Sequence, residues 1–528
     1  MPSNPIHNFN TTRISWLLIA AFAVFRLAFA GSFPLVADEA YYWQWSRHLA
    51  AAYYDHPPMI AWMISLATHV FGNTETAVRL PAVVSHTLCI IYLFRMAGKW
   101  LHPRVALLTV ILAQSILGFN AAGLISTPDS PLLLAWAGAA YHVGCAYTEG
   151  KRKHWLMGGA WFGFGLLSKA TMIIFPVLVF MPGILHSPSR KQLARPWPYL
   201  GLLLGILLFL PVILWNMDNH WSTFRHAAHQ GGVDRESVFH LKYLADFLIS
   251  QMGLLSPIVA VLLPFAWVSS ITSGFSGKKW LSFYLFMTSL PVIAAFTVLS
   301  LHTRVEGNWA APGYLTASVL MAAYVVHLQN SAVRRNNKPG TLRLWPWAII
   351  TSYAMTALIL AHVMWALLPV PVKLDRIARE TAGWDLLGRK LQRMKTAMPN
   401  PEKTFFFALK YQAASQVAFY APGNPDTIAI NRWSRPNAYE YWYRDEDFLG
   451  WDAVGVGSAS SKNTRRLKQI FDHVDAPERL DIYRKKPPYP FIFDKIPVSA
   501  FYVYRAYGYK GGSFWIPERR SDVRAVQP

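Results

Sequence analysis

Residues 13–43 read RISWLLIAAFAVFRLAFAGSFPLVADEAYYW, an apolar run followed by the adjacent carboxylates Asp38 and Glu39 and a group of aromatic residues. A helix that crosses a bilayer needs about 20 mainly apolar residues. Apolar runs near this length recur through residue 370, and hydrophobic segments directly after the first run favour a retained anchor over a cleaved signal peptide. The sequence therefore predicts a polytopic membrane protein.

Composition supports this prediction and excludes several classes. Of the 528 residues, 53% are hydrophobic and 15% are charged, with a mean hydropathy of +0.23, which excludes a disordered chain and argues against an ordinary soluble enzyme. The net charge of +22 comes without a block of Lys and Arg interleaved with stacking aromatics, so we expect no nucleic acid partner. Cys89 and Cys145 lie in apolar runs without the spacing of a zinc site, so we expect neither disulfides nor Cys–metal chemistry.

We predict an all-α membrane domain over residues 1–370 with about 11 transmembrane helices. The predicted spans are residues 13–30, 81–98, 104–119, 131–148, 153–168, 170–186, 199–215, 247–271, 281–300, 310–328 and 346–370. With a cytoplasmic N-terminus, basic clusters such as Lys151–Lys153 fall on the inner side, where they meet the positive-inside rule and contact membrane lipids. Nearly all acidic residues before 370 then face outward, which suggests chemistry on the outer face.

The chain changes character after residue 370. Long apolar runs give way to short strand-like segments at 405–409, 427–430 and 501–504, with a helix over 411–420. We predict a small α/β domain over residues 371–528, outside the membrane and on the periplasmic side. Within it, Tyr411–Ser415 and Asn431–Arg435 could help to select an acceptor, although the role of a folded module packed over the cavity explains them better.

The first outer loop carries the adjacent carboxylates Asp38 and Glu39. Paired carboxylates at a membrane surface need a compensating role, such as a general base, a cation ligand or a helix N-cap. In the alternative interpretation, Asp38 only caps a helix over 39–51 whose Trp and Tyr residues form an interfacial belt. The residues alone leave both interpretations open.

Two further charges lie at predicted outer boundaries. Asp129 stands at the start of a span, where it is either an N-cap or a second site carboxylate that, with Asp38, would bind Mg²⁺ or Mn²⁺. Lys169 separates two apolar half-runs and calls for an anionic partner, for which a lipid phosphate is the obvious candidate, unless its ammonium merely reaches the interface. In another outer loop, Arg304 and Glu306 either bind phosphate or sugar hydroxyls or pair with each other.

The order and sidedness of these motifs resemble the GT-C polyprenyl-phosphate-dependent glycosyltransferases. The resemblance is to the bacterial branch of the dolichyl-phosphate-mannose protein mannosyltransferase superfamily, which includes enzymes that transfer aminoarabinose or galacturonic acid to lipid A. It covers roughly residues 10–370. The motifs that carry it are Asp38-Glu39, Tyr54-Asp55-His56-Pro57-Pro58, Thr127-Pro128-Asp129 and Ser168-Lys169.

This resemblance implies a sugar donor on a polyprenyl phosphate, an acceptor hydroxyl on a lipid, glycan or protein, and inversion at the anomeric carbon. It implies that Asp38 is the general base or orients the acceptor, that Glu39 supports it, and that Asp129 lies near the lipid phosphate or a metal. Lys169 would bind the donor phosphate. The remaining substrate-binding candidates are Tyr54, Asp55, His56, Arg304 and Glu306.

One position departs from the family pattern. The aminoarabinose transferases carry a Lys before the paired prolines, whereas this chain has His56. Histidine is charged only near or below about pH 6.5, so the phosphate contact would depend more on Lys169 and Arg304. This departure puts aminoarabinose transfer itself in doubt.

Two other functions fit parts of the sequence. A transporter or flippase of a lipid-linked substrate would also need charges in a membrane, but it would place them near the bilayer midplane, where Arg26 is the exception here. A noncatalytic scaffold would leave Asp38, Asp129 and Lys169 without a purpose. The sequence does not identify the sugar or the acceptor.

Overall fold

The computed structural model describes residues 5–233, 238–272, 279–335, 339–368, 370–371, 374–458, 460–484 and 496–513. Its contacts divide the chain into two compact units. The first, here called the helical unit, comprises Met1–Ala30, His56–Met63 and Arg79–Leu360. The second, the mixed unit, comprises Gly31–Asp55, Ile64–Val78 and Ala361–Pro528. Two segments of the predicted first outer loop thus pack with the C-terminal residues, and the division falls at 360/361 rather than at the predicted 370.

Helices form most of the chain. The first nine are Pro5–Ala30 (α1), Ala37–Arg47 (α2), Met59–Phe71 (α3), Glu75–Trp100 (α4), Pro103–Ser115 (α5), Leu117–Ala122 (α6), Asp129–Glu149 (α7), Arg152–Leu166 (α8) and Phe175–Leu185 (α9). The next nine are Ser187–Leu193 (α10), Trp197–Asp218 (α11), Ser222–Gln230 (α12), Leu241–Leu255 (α13), Pro257–Thr272 (α14), Lys279–Met287 (α15), Leu290–Leu299 (α16), Ala311–Arg335 (α17) and Gly340–Trp365 (α18). Four more follow in the C-terminal part: Arg376–Thr381 (α19), Trp384–Thr396 (α20), Tyr411–Tyr420 (α21) and Ser461–Leu467 (α22).

Each predicted span coincides with a helix, a helix pair or a broken helix. Among the described residues, 6 helices are long and apolar enough to cross a membrane, and a seventh span arises if the bent pair α13 and α14 is counted as one. That pair bends by 98° at Ser256, which has a φ of 77°. The other predicted spans correspond to helices that are shorter or less apolar, such as α5 and α8.

Glycines set the closest helix packing in the helical unit. Helices α8 and α11 meet through Gly159 and Gly163 on one side and Gly201 and Gly205 on the other, and a Cβ built on Gly159 would lie 1.9 Å from the carbonyl oxygen of Gly201. Small residues spaced by four positions let helix backbones approach in membranes, where lipid supplies little driving force for association. These two Gly-x-x-x-Gly motifs therefore fix the position of α8 and of the turn that precedes it.

The mixed unit contains a sheet, and the strand-like segments predicted at 405–409, 427–430 and 501–504 lie in three of its six described strands. Its described strands are Thr404–Ala408 (β1), Thr427–Ala429 (β2), Asp452–Gly457 (β3), Phe471–Val474 (β4), Glu478–Arg484 (β5) and Ile496–Tyr509 (β6). The strand order is β2-β1-β3-β6-β4, and β5 also pairs with β6. Strand β1 runs parallel to β2 and β3, whereas β6 is antiparallel to β3, β4 and β5. The predicted α/β fold and the helix over 411–420 are confirmed.

Helix α21 attaches the predicted outer-loop segment to the rest of the mixed unit. Gln416 Nε2 donates to the carbonyl of Leu35 over 2.9 Å, and the backbone N–H of Leu35 donates to Tyr420 Oη over 2.7 Å. Trp43 of α2 packs edge-on against Phe419 at 4.9 Å between ring centroids. These contacts hold α2 against α21, and they place the carboxylates of the first loop beside C-terminal residues.

Candidate functional site

Asp55 lies at the centre of a polar cluster in the mixed unit. Its Oδ2 accepts a hydrogen bond from Tyr41 Oη over 2.7 Å, and its Oδ1 accepts from Arg435 Nη1 over 2.6 Å. Arg435 Nη2 donates to Tyr411 Oη over 2.7 Å. We call Asp38, Tyr41, Asp55, Tyr411 and Arg435 the Asp55 cluster. Because hydrogen bonds to a charged carboxylate are about twice as strong as neutral ones, this arrangement holds Asp55 in one orientation.

Aromatic rings support this cluster. The ring centroid of Tyr41 lies 4.4 Å from that of Tyr411 and 6.3 Å from that of Tyr439, which stacks on it. The guanidinium of Arg435 lies 4.9 Å from the Tyr411 centroid, within the range of a cation–π contact. Tyr41 Oη also accepts from the backbone N–H of Ala438 over 2.8 Å. A surface of rigid rings with fixed polar groups is suited to binding a sugar or another hydroxylated ligand.

Asp38 stands in the first turn of α2 and is half-buried. Burial raises the pKa of its carboxyl above the ordinary value, and Glu380 and Asp55 add to the increase, whereas Arg376 and Arg435 oppose it. A carboxylate with raised proton affinity is a better general base than an exposed aspartate, because catalysis improves as its pKa approaches the working pH. A raised pKa is compatible with the predicted role of Asp38 as a base, which stays a prediction.

Glu39 has a structural contact of its own. It is fully buried, and its Oε2 accepts from the backbone N–H of Val36 over 3.1 Å, at the residue that precedes α2. In the alternative interpretation of the sequence, Asp38 is the residue expected to cap this helix. The capping is therefore done by Glu39, and Asp38 is left facing the other charged groups of the mixed unit.

Glu440 is a titratable residue that the sequence does not single out. Burial raises the pKa of its carboxyl to about 9, and the nearby charge of Asp55 contributes to the increase. Its Oε1 is buried without a hydrogen-bond partner among the described residues. At neutral pH Glu440 is therefore protonated, and its carboxyl can donate a hydrogen bond.

A second polar group lies in the helical unit and joins two residues that the sequence predicts. Lys169 Nζ donates to Asp129 Oδ1 over 2.8 Å, and Asn308 Nδ2 donates to Asp129 Oδ2 over 2.7 Å. Asp129 and Lys169 are only 6% and 8% exposed. The structure therefore gives Lys169 an anionic partner within the chain, and Asp129 makes no N-cap contact with α7. We call these three residues the Asp129 cluster.

An apolar cavity of about 650 Å³ borders the Asp129 cluster at Asn308. The residues that line it are Leu117, Ser250, Gly253, Leu254, Gly307, Asn308, Met355, Leu358 and Ile359. Except for Ser250 and Asn308 their side chains offer no hydrogen-bonding group. The cavity suits a ligand with an apolar chain and a polar end.

The other predicted substrate-binding residues are distributed between the two units. Arg304 and Glu306 pair with each other at 3.3 Å and are 74% and 55% exposed, as in the alternative interpretation of that loop. Tyr54 lies in the mixed unit, where burial raises the pKa of its phenol to about 12, with Asp55 adding to the increase. His56 is half-buried in the helical unit.

Neither predicted metal ligand belongs to a ready-made metal site. Among the residues that the structure describes, the His, Cys, Asp and Glu side chains that could hold a metal ion together are Cys145, Glu149 and His154. Asp38 and Asp129 are not part of such a group. The sequence does not single out this group, because its side chains come from two helices and their spacing along the chain is not that of a zinc site.

The comparisons with known proteins agree with this fold. Residues 55–215 match the model of the dolichyl-phosphate-mannose-protein mannosyltransferase family. The crystal structure of ArnT from Cupriavidus metallidurans in the apo state superposes with a TM-score of 0.64 at 15% identity, over 94% of this chain and 98% of that one. The chain has the GT-C fold. The predicted resemblance to the bacterial branch is confirmed.

Curated relatives of this GT-C protein are named as glycosyltransferases. The lipid A galacturonosyltransferase RgtD of Rhizobium johnstonii is 25% identical over 329 residues, which are 60% of this chain and 66% of the relative. The undecaprenyl phosphate-alpha-4-amino-4-deoxy-L-arabinose arabinosyl transferase of Pseudomonas paraeruginosa is 26% identical over 282 residues, 46% of this chain and 50% of that one. The chain thus matches between half and two thirds of the length of these relatives.

Proposed function

We propose that this protein is an inverting glycosyltransferase that moves a sugar from a polyprenyl-phosphate donor to an acceptor hydroxyl of the cell envelope. Lipid A is the acceptor that the named relatives favour, and an envelope glycan or a protein would use the same chemistry. The relatives named above are transferases, which favours this function over a flippase.

One observation carries the donor assignment. Asn308, one of the residues that line the apolar cavity, donates to Asp129, which pairs with the buried Lys169. An apolar cavity beside a buried ammonium matches a long isoprenoid chain with a phosphate at its end. ArnT from Cupriavidus metallidurans, whose fold this chain shares, has also been solved bound to undecaprenyl phosphate.

The Asp55 cluster and the Asp129 cluster have different proposed roles in the reaction. When the bond from the anomeric carbon to phosphate breaks, positive charge develops on the sugar and negative charge on the leaving phosphate, while the acceptor hydroxyl loses a proton. Asp38 is the proposed base, and such catalysis is worth about 10²–10⁴-fold. Lys169 is the proposed electrostatic partner of the phosphate, with Asp129 holding its ammonium in place.

Asp55, Tyr54 and Arg435 are assigned to acceptor binding. Asp55 is held by Tyr41 and Arg435, so its position is fixed before any ligand binds. Preorganisation of this kind reduces the entropy lost on binding. Glu39 supports Asp38 by capping α2. His56, Arg304 and Glu306 stay as weaker candidates for phosphate or sugar contacts.

The predicted Mg²⁺ or Mn²⁺ site does not fit the residues around Asp129. Both of its carboxylate oxygens already accept hydrogen bonds, from Lys169 and Asn308. A divalent cation would have to displace Lys169 or bind next to its ammonium, which opposes binding. We therefore assign no step to a metal at Asp38 or Asp129.

The proposed location is the inner membrane of a bacterium, with a cytoplasmic N-terminus and the C-terminal domain in the periplasm. The distribution of basic residues supports this orientation, since clusters such as Lys151–Lys153 then lie inside. The transfer reaction is then proposed for the periplasmic face of this membrane.

A single assay separates the proposal from its rival. Purified protein in detergent is mixed with radiolabelled polyprenyl-phosphate sugars and a crude envelope lipid extract, and label in the acceptor lipid is measured. We expect label to move to the extract. Absence of transfer from every donor, together with movement of labelled lipid across proteoliposomes that contain the protein, would establish a flippase instead.

A further inference from the structure

Helices α7 and α8 form a hairpin at one end of the helical unit. Helix α7 ends at Glu149, Gly150 follows with a left-handed φ of 67°, and α8 begins at Arg152. His142, Cys145 and Glu149 are spaced three and four positions apart, so they project from the same face of α7. His154 reaches the same place from the first turn of α8.

Three of these side chains present metal-binding atoms to one another. One ligand atom each from Cys145, Glu149 and His154 lies within 4.8 Å of the others, and His154 Nε2 is 3.5 Å from Glu149 Oε2. Tetrahedral zinc, with bonds of about 2.0–2.3 Å, separates its ligand atoms by roughly 3.3–3.8 Å. Shifts of about 1 Å would therefore bring the three atoms to zinc geometry.

His142 supplies the outer contact that a zinc-binding histidine needs. Its Nδ1 lies 3.0 Å from Nδ1 of His154. If His154 Nδ1–H donates to His142, the lone pair of His154 Nε2 is left free on the side of Glu149. A second hydrogen bond of this type fixes the tautomer of zinc-binding histidines in general. His142 Nε2 in turn lies 3.5 Å from Tyr92 Oη, which accepts from Trp161 Nε1 over 3.0 Å.

The charges around this group are compatible with a dication. Glu149 already pairs with Lys99 and with Lys151, the latter at 2.9 Å. A thiolate and a carboxylate neutralise Zn²⁺. The side chains of Lys99 and Lys151 are 42% and 59% exposed, so both can turn toward solvent when the metal takes the carboxylate, as the buried Lys169 cannot. The ion pairs explain Glu149 and core packing accommodates Cys145, but neither accounts for the approach of ligand atoms of Cys145, Glu149 and His154 to within 4.8 Å of one another.

We propose that Cys145, Glu149 and His154 bind one Zn²⁺ that joins the C-terminal end of α7 to the start of α8, with water as the fourth ligand. Cys145 and His154 are 0% and 8% exposed, and Glu149 at 21% is the side from which the metal enters. The bound form requires that the Cys145 thiol lose its proton to water. The role is structural, because the site fixes the hairpin whose second helix packs on α11 through its glycines.

Metal content tests this proposal on the full-length protein. The protein is purified in detergent without a metal-affinity column and dialysed, and its metal content is measured by inductively coupled plasma mass spectrometry. We expect about one zinc per chain in the wild type. Cys145→Ser and His154→Gln should each lose most of the zinc, whereas Cys89→Ser, which changes the other buried cysteine, and His69→Gln should keep it.

Cobalt substitution supplies a second readout in a variant that keeps all three proposed ligands, and its folding is checked by gel filtration. Co²⁺ added to the metal-free Cys89→Ser protein should give a thiolate-to-cobalt charge-transfer band, because Cys145 is then the only thiol in the chain. The absence of this band, or zinc content that is equal in wild type and Cys145→Ser, would overturn the proposal. Neither test measures glycosyl transfer, so the outcome of both is independent of the proposed function.

Discussion

Arg435 Nη1 donates to Asp55 Oδ1 over 2.6 Å, which joins two residues that are 380 positions apart in the chain. Asp55 is 8% exposed and Arg435 is 42% exposed in their side chains. A partly buried, charge-assisted contact over this sequence distance ties a segment of the predicted first outer loop to the C-terminal residues. The C-terminal part therefore contributes directly to the shape of the candidate acceptor site.

The first prediction concerns the energy of this contact. In a double-mutant cycle with Arg435→Gln and Asp55→Asn, we expect a coupling free energy of about 1–3 kcal/mol, because a hydrogen bond to a charged group is worth about 1.5–3 kcal/mol. The measurement is thermal unfolding of the full-length protein in detergent. The exposed Arg47–Asp426 pair at 2.8 Å is the matched control and should give less than about 1 kcal/mol.

If Arg435 positions Asp55, the same variants should also change the reaction. We expect Arg435→Gln to raise the KM for the acceptor about tenfold with a smaller change in kcat. Arg435→Lys should recover only part of this loss, since lysine cannot form the two-pronged contact with Asp55 and Tyr411. Equal coupling in the two cycles, with an unchanged KM, would show that the contact is only a surface pair.

A second prediction tests the buried Asp129–Lys169 pair. Removal of one partner from a buried pair costs about 3–5 kcal/mol, because an uncompensated charge remains inside. Lys169→Ala should therefore lower the unfolding temperature by several degrees and weaken binding of a fluorescent polyprenyl phosphate. Lys151→Ala, which changes an exposed lysine, should leave both unchanged. Undiminished lipid binding by a folded Lys169→Ala protein would remove Lys169 from the donor site.

The raised pKa of Glu440 leads to a third prediction, on stability against pH. Its pKa is about 9 in the folded protein and about 4.3 when unfolded, so stability is lost as the pH rises between these values. Glu440→Gln removes the ionisation and should raise the unfolding temperature at pH 8 by a few degrees, with no difference near pH 4.5. A variant that is less stable than wild type at pH 8 would contradict this assignment.

The contact between α8 and α11 gives a fourth prediction. Gly159→Leu should prevent folding of the membrane part, because even a Cβ at this position would overlap the backbone of Gly201. Gly253→Leu is the control, since a Cβ there meets no atom within 4 Å. The measurement is the yield of monodisperse protein on gel filtration. Equal yields would mean that the two helices can separate without loss of the fold.

Much of the fold follows from the sequence because apolar runs and strand-like segments are local signals. The predicted spans, α21 and three of the six described strands, β1, β2 and β6, were predictable in this way. The bend at Ser256 and the Gly-x-x-x-Gly contact were not, since both depend on packing between helices. The 98° bend therefore appears only in the structure.

The candidate site was predictable only in part, for the same reason. Asp38, Asp55, Asp129 and Lys169 stand out because charges are costly at a membrane boundary. Asn308 and Glu440 carry no such signal, and Glu39, predicted to act in catalysis, caps α2 instead of Asp38. The role of Asn308 and the raised pKa of Glu440 depend on Asp129 and Asp55, which lie far away in the sequence.

The central claim is that Asp38 is the base of a glycosyl transfer. The most direct measurement is the initial rate at which purified protein transfers labelled sugar from polyprenyl phosphate to the acceptor, for wild type, Asp38→Asn and the surface control Asp426→Asn. We predict a rate at least about 100-fold lower for Asp38→Asn. Its unfolding temperature should be unchanged or raised, and Asp426→Asn should react like wild type. A rate for folded Asp38→Asn within about twofold of wild type would contradict the claim.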